Sequence, residues 1–358
     1  MRLVVASCLS TLLGFLALSY EILWVRIYGF VSGGTAHAFG FLLGTYLLGI
    51  AAGSWVSRRW CIGEGGRGSL RALGGAVLLS NLGGVLLVPA VAELVRSVPH
   101  QLTYPLVTGV AGCFGMGLPL VSHFGIPADR RTGARLGSLY FGNICGSAAG
   151  GLTTGLVLLD HWTLGEISSF LALLGFVTTG GILLLARPLR RAQWIGLGLA
   201  AGGALLTPLA VPPLFDGVYE KLQLKGEYQP GVRFVRVIEN KSGVITVDAA
   251  GAVYGGGAYD GRFNVDLARD TNWIVRAYAL AAMHPDPREV LVVGLGSGSW
   301  TQVLVHHPAV RRLTVVEINP GYRELVRDHP LVRSLLRNPK VEIIIDDGRR
   351  YLQATARR

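Results

Sequence analysis

Two patterns of apolar residues divide the chain. Up to about residue 213 they run almost continuously, in stretches near 3–25, 36–56, 72–92, 102–121, 138–159, 164–186 and 194–214. A helix of about twenty apolar residues crosses the ~30 Å hydrocarbon core of a bilayer, so the pattern predicts seven transmembrane helices. The first stretch is long for a signal peptide and lacks a small-residue cleavage pattern. It runs on into Tyr20, Glu21, Trp24 and Arg26, so it reads as a helix.

After Pro212 and Pro213 the runs shorten and alternate: Val232, Phe234, Val235 and Val237, then Val244, Ile245 and Val247, broken by Gly243 and the triplet Gly255, Gly256, Gly257. A period of two with glycine breaks predicts short strands joined by turns. Residues 266–283 have helical spacing and stop before His284-Pro285. Next comes the unbroken apolar strand Glu289-Val-Leu-Val-Val293, followed at once by Gly294-Leu-Gly-Ser-Gly298 and a helix-compatible segment. A second strand at 313–316 ends on Glu317, and a third at 341–345 ends on Asp346-Asp-Gly348. Strand, glycine loop, helix, strand and terminal acid in this order predict the first βαβ unit of a doubly wound nucleotide-binding sheet. Glycines there let a backbone approach the ligand, and an acid ending the second strand can accept ribose hydroxyls. A lone GxGxG would equally fit a tight turn; the ordered combination is what carries the reading.

The predicted fold class is therefore an α-helical polytopic membrane domain over 1–213, a small β-rich segment over 214–265, and a partial α/β Rossmann-like domain over 266–358.

Composition and charge sharpen this division. The chain is 51% hydrophobic and 15% charged, well below the quarter typical of a soluble globular protein, which excludes an ordinary cytosolic enzyme. The formal charge of +11 is not a nucleic-acid footprint. Residues 1–213 hold 13 arginines, no lysine and 6 acids, whereas 214–358 hold 20 basic and 16 acidic residues. Arg58, Arg59, Arg67, Arg71, Arg130, Arg131, Arg135, Arg187, Arg190 and Arg191 cluster in three connections, which the positive-inside rule makes cytoplasmic. With a full crossing at 194–214, the domain that follows would lie on the far side. Nucleotide cofactors are made in the cytoplasm, so two arrangements stand. The four cysteines, Cys8, Cys61, Cys113 and Cys145, have no metal-ligand spacing and read as packing residues; no metal is expected.

Within the membrane half, Gly40, Gly44, Gly49 and Gly53 form small-xxx-small pairs, and Gly142, Gly146 and Gly150 form a continuous stripe. Such stripes let helix backbones touch, within one chain or between two copies; the sharper alternative is a small-molecule passage. His37 beside the first stripe and Asn143 on the second could line a polar cavity or be satisfied by a neighbouring helix. Glu21 and Arg26 read either as interface anchors or as a functional buried pair.

The motifs of the second half resemble a known family. Gly294-Leu-Gly-Ser-Gly298, Glu317-Ile-Asn-Pro320 and Asp346-Asp-Gly348 resemble the donor-binding motifs of spermidine synthases and related class I methyltransferase-fold enzymes. Ser242-Gly-Val-Ile245 and Tyr259-Asp-Gly261 resemble the small β-rich domain preceding the catalytic sheet of aminopropyltransferases. With its multi-span N-terminal half, the chain is similar to membrane-embedded spermidine synthase-like proteins of the bacterial inner membrane.

The resemblance implies that Gly294, Gly296, Ser297 and Gly298 face the methionine-derived part of S-adenosylmethionine or its decarboxylated form. Glu317 would hold the ribose, and Asp346 and Asp347 the adenine side. Alkyl transfer, of an aminopropyl or methyl group, to a small-molecule acceptor would follow. The acceptor side would be drawn from Tyr259, Asp260, Asn264, Asp270 and Arg276. Two features depart from the family. Asn264 stands near an expected glutamine, and Arg276 stands where an acid would help hold a cationic amine, so a polyamine acceptor would be repelled unless Arg276 pairs with Asp270. The family's catalytic aspartate follows a fourth strand, and this sequence ends at Arg358 after the third. It is expected to be a truncated member or fragment whose first strand is left as an edge where a second copy could dock. The competing expectation is a non-enzymatic membrane carrier or scaffold with a degenerate nucleotide domain.

Overall fold

A computed structural model of the chain describes residues 2–62 and 66–355. It forms two compact units, Met1–Pro230 and Gly231–Arg358.

The first unit is helical. Its described residues include seven helices long and apolar enough to cross a membrane: Arg2–Val31, Ala36–Trp60, Arg67–Leu94, His100–Gly125, Thr132–His161, Leu164–Leu185 and Arg191–Glu227. The first is the hub. Its Leu16, Tyr20, Leu23, Trp24, Ile27 and Tyr28 are all fully buried. Tyr20 Oη donates to Asn81 Oδ1 at 2.9 Å, and Asn81 Nδ2 donates to Ala172 O at 3.0 Å, which ties three spans together through one polar chain.

The glycine stripes serve as backbone contacts between helices. A Cβ on Gly146 would strike Thr11 O, and one on Gly150 would strike Phe15 O; conversely, a Cβ on Gly14 would strike Asn143 O. Asn143 Nδ2 donates to Ser10 O at 3.1 Å across the same seam, so its amide is satisfied by the neighbouring helix. Gly49 and Gly53 approach Thr108 and Gly112 in the same way, whereas Gly40 and Gly44 meet nothing within 4 Å. His37 is exposed at the start of the second span. Glu21 is buried at 9% exposure, and Arg26 is half-buried. Packing was the expectation for the cysteines, but Cys8 and Cys145 lie on exposed helix faces.

In the second unit, β1 (Arg236–Asn240), β2 (Gly243–Val247), β3 (Ala252–Gly255) and β4 (Ala258–Arg262) form an antiparallel meander in sequence order. The β3–β4 hairpin turns on Gly256 (φ +55°) and Gly257 (φ +82°). Two consecutive positive φ angles are what a tight two-residue hairpin demands, and glycine supplies them without strain. Beyond it, β5 (Glu289–Val293), β6 (Arg312–Glu317) and β7 (Val341–Ile345) form a parallel sheet in the order β5-β6-β7. The central strand is the core: Leu313, Val315 and Val316 are at most 1% exposed, each contributing about 1.5–3 kcal/mol of burial. Ile238, Ile245, Val247 and Val253 of the meander pack in the same cluster, so the β-rich and Rossmann-like segments share one core. Among the described residues β5 pairs only with β6, and its Leu291 and Val293 are 41% and 61% exposed.

The helix expected over 266–283 is confined to Val275–Tyr278 and Leu280–Met283. The segment before them is a loop held by its own polar side chains. Asp266 Oδ1 accepts from Ala268 N at 2.8 Å, and Asp270 Oδ1 accepts from Asn272 N and Ile274 N, both at 2.9 Å. Short acidic side chains compete with the helix for these amides, and here they win.

Candidate functional site

The glycine loop leaves β5 and enters the helix Ser299–Val305. Gly294, Gly296 and Gly298 have φ of +92°, +51° and +74°, a region that side chains rarely adopt. Their surroundings differ. A Cβ on Gly296 would lie 2.7 Å from Asp260 O, so this glycine lets the loop close on β4. Gly298 sits over Val326 and Leu335 beneath the loop, whereas Gly294 faces open space.

Glu317, only 4% exposed, ends β6 beneath this loop. Its Oε2 accepts from Leu295 N at 2.7 Å and its Oε1 from Asn319 N at 2.8 Å. The acid therefore shapes the loop before it holds any ligand, and each oxygen keeps a second lone-pair direction for a hydroxyl. Burial raises the Glu317 pKa above its ordinary value; bonds from the backbone amides of Asn319, Leu295 and Ile318 pull the other way, and the nearby charge of Asp260 adds to the rise. Asp260 is raised by the same crowding, against a hydrogen bond from Tyr322, whose own phenol is pushed up by burial.

Beside the loop is a cavity of 420 Å³. Of the residues singled out from sequence, Tyr259, Asp260, Arg276, Gly294, Gly296 and Ser297 line it. The rest have other partners. Asn264 Nδ2 donates to Arg269 O at 2.6 Å and Thr271 Oγ1 at 2.8 Å. Asp270 takes backbone amides. Of the lining residues, Arg276 lies over the Trp273 ring at 5.1 Å. Asp347 caps the helix Gly348–Ala354 through Arg349 N and Arg350 N, and Asp346 accepts from Arg350 Nε at 2.6 Å. Both carboxylates thus have local partners, and Asp346 N donates to Glu317 O at 3.0 Å at the same sheet edge.

Four cavity residues escaped the sequence reading: Asn272, Trp273, Trp300 and Thr301. Asn272 is the hinge of the site. Its Oδ1 accepts from Arg262 N at 2.9 Å and Tyr259 Oη at 3.1 Å, and its carbonyl accepts from Trp300 Nε1 at 3.1 Å. It thereby fastens the 266–273 loop to both β4 and the helix after the glycines. Trp273 adopts φ +52°, a genuine outlier for a bulky residue, and remains 64% exposed at the rim. The run Asp270-Thr-Asn-Trp was the available signal, since polar residues with no helical periodicity mark a built loop.

The fold is an α/β domain with a glycine loop at the carboxyl edge of its parallel sheet, preceded by a β-meander. Comparison with known proteins narrows the class. Residues 278–358 match the spermine/spermidine synthase domain. The chain is 29% identical over 273 residues to polyamine aminopropyltransferase 2 of Streptomyces coelicolor, covering 72% of this chain and 47% of that protein. It is 31% identical over 103 residues to a polyamine aminopropyltransferase of Thermococcus kodakarensis (26% of this chain, 35% of the relative). It is 39% identical over 71 residues to spermidine synthase of Dictyostelium discoideum (20% and 25%). The chain thus spans about half the length of the first of these relatives and less of the others. The Streptomyces match is longer than the Gly231–Arg358 unit, so it extends into the helical one. Within the second unit, residues 278–358 are what is similar to a spermine/spermidine synthase domain.

Proposed function

We propose that the chain is a membrane-embedded, spermidine synthase-like transferase of the bacterial inner membrane. It binds S-adenosylmethionine or its decarboxylated form and passes an alkyl group to a small-molecule acceptor. The observation that carries this reading is the Glu317 carboxylate holding the Leu295 amide, which presents a glycine loop at the carboxyl edge of a parallel sheet, in the stretch matching the synthase domain. Ligands of open α/β sheets bind along that edge. The aminopropyltransferase relatives favour aminopropyl transfer from the decarboxylated donor over methyl transfer.

The residues present suit such a donor. Gly294 leaves room for close approach, Glu317 offers lone pairs to a ribose, and Tyr259, Trp273 and Trp300 supply aromatic faces along the cavity. When bound, the donor supplies an electrophilic carbon on its sulfonium. The chain's residues bind and orient it and keep the loop closed around it. Bilayer insertion is supported by the seven apolar helices and by arginines concentrated in three connections.

The test is the product. Detergent-purified protein given labelled decarboxylated donor and a panel of amines should release methylthioadenosine; adenosylhomocysteine release from S-adenosylmethionine would instead mark methyl transfer. Binding of donor without release of either product would favour a sensor or scaffold.

A further inference from the structure

The cavity beside the glycine loop presents opposite charges and unspent donors. Asp260 brings a partly buried carboxylate that accepts from Tyr322, and Arg276 an exposed guanidinium that lies over Trp273. Between the elements that carry them are two buried donors. Asn272 is 3% exposed; its Oδ1 is engaged twice, but its Nδ2 has no hydrogen-bond partner among the described residues. Thr301 is fully buried in the first turns of the helix after the loop, and its Oγ1 also has no partner among the described residues. A buried amide left without an acceptor costs about 1–3 kcal/mol, so such groups in a native pocket call for an explanation. The amide cannot relieve itself by rotating. Turning it over would put the NH₂ against Arg262 N, which needs the oxygen.

The loop that carries Asn272 is also strained. Trp273 is held at φ +52° while Asp270 accepts the amides on either side of it. Strain of this kind costs about 1–3 kcal/mol and collects at ligand clamps. Here it places the Trp273 ring beneath the Arg276 guanidinium, which fixes the direction of that cation.

We propose that this cavity recognises an α-amino-acid group, its ammonium held by Asp260 and its carboxylate by Arg276 with Asn272. A diamine or a decarboxylated donor has an ammonium for Asp260 but nothing for the cation and the unspent amide. A carboxylate supplies the acceptors that both lack, and guanidinium binds carboxylate through paired hydrogen bonds. The inference rests on the alkyl-transfer reading above and names the substrate class of the same site. The amino-acid group has two sources: the methionyl part of S-adenosylmethionine or an amino-acid acceptor.

Matched probes separate the sources. S-adenosylmethionine and its decarboxylated form differ by one carboxylate, as do ornithine and putrescine. Titration calorimetry on the detergent-solubilised full chain measures the donor pair directly, and the second pair with methylthioadenosine present. The proposal expects the carboxylated member of one pair to bind at least tenfold more tightly. A preference in the first pair assigns the donor, and one in the second the acceptor. Arg276→Ala should collapse that ratio and Arg276→Lys restore part of it. Asp260→Asn should weaken both members alike, since both carry the ammonium. Arg276 is exposed, so its replacement spares the fold. Equal affinities within both pairs while methylthioadenosine binds would overturn the proposal and leave the transferase reading standing. A preference for ornithine with no adenosylated ligand bound would do the reverse, and no binding by any probe would refute both.

Discussion

Oε2 of Glu317 accepts the backbone N–H of Leu295 at 2.7 Å, joining the acid that ends β6 to the loop that follows β5. The bond explains why an acid stands at the end of a buried strand. Without it, two amides, those of Leu295 and Asn319, would face a dry interior.

That position makes the stability of the second unit depend on pH. Burial raises the Glu317 pKa above its ordinary 4.5, and Asp260 is shifted in the same direction. Between the ordinary and the raised values the native chain keeps a proton that the unfolded chain has lost, so stability falls as pH rises through that window. Its contribution is complete below pH 4.5. Hydrogen exchange of peptides covering β5 and β6, corrected for the intrinsic rate, should show protection declining as pH rises from 4.5. The decline should be shallower in Glu317→Gln; an unchanged slope in that variant would remove Glu317 as its source.

Much of this arrangement was readable from the chain. The strands at 289–293, 313–316 and 341–345 and the loop between the first two announce themselves by short-range pattern, and the structure places them as β5, β6 and β7. What could not be read was the outcome of local competition. Apolar spacing over 266–283 suggested a helix, but the carboxylates of Asp266 and Asp270 had amides within two residues to take. Asp346 and Asp347 stand at the expected sheet edge, and their local bonds to nearby amides and to Arg350 had no signal in the sequence. Asn272, Trp273 and Thr301 converge on the cavity only after the 266–273 loop docks on the helix Ser299–Val305, a long-range event with no sequence period.

Gly296 and Gly294 should respond differently to alanine. At Gly296 a Cβ lies 2.7 Å from Asp260 O on top of a φ of +51°, so Gly296→Ala combines a clash with backbone strain of about 1–3 kcal/mol. At Gly294 the space is open, leaving strain alone. Local exchange protection of the loop should fall further in Gly296→Ala than in Gly294→Ala. Equal losses would contradict the contact with β4.

In the helical unit, Gly146→Ala should shorten the thermal half-life of the detergent-solubilised protein, because the new methyl meets the Thr11 carbonyl. Gly40→Ala meets nothing, and should be neutral or stabilising by up to about 1 kcal/mol from helix propensity. If both variants behaved alike, the seam between the first and fifth spans would not depend on close approach.

Membrane orientation is tested by single cysteines placed at Thr132 and Leu189, beside the second and third arginine clusters, in a background lacking the four native cysteines. The positive-inside rule makes both connections cytoplasmic. An impermeant thiol reagent should label neither site in intact cells and both after permeabilisation. Labelling from outside would reverse the proposed orientation.

The central claim is that the loop and Glu317 together hold an adenosylated ligand. Titration of the solubilised chain with S-adenosylmethionine and with its decarboxylated form measures this directly, in the parent and in Glu317→Ala and Glu317→Gln. Loss of hydrogen bonds to a charged group is expected to weaken the tighter ligand by about 1.5–3 kcal/mol in Glu317→Ala. The change in Glu317→Gln should be smaller, since its oxygen can still accept from one amide. Absence of binding by the parent, or equal affinity in the parent and Glu317→Ala, would contradict the account.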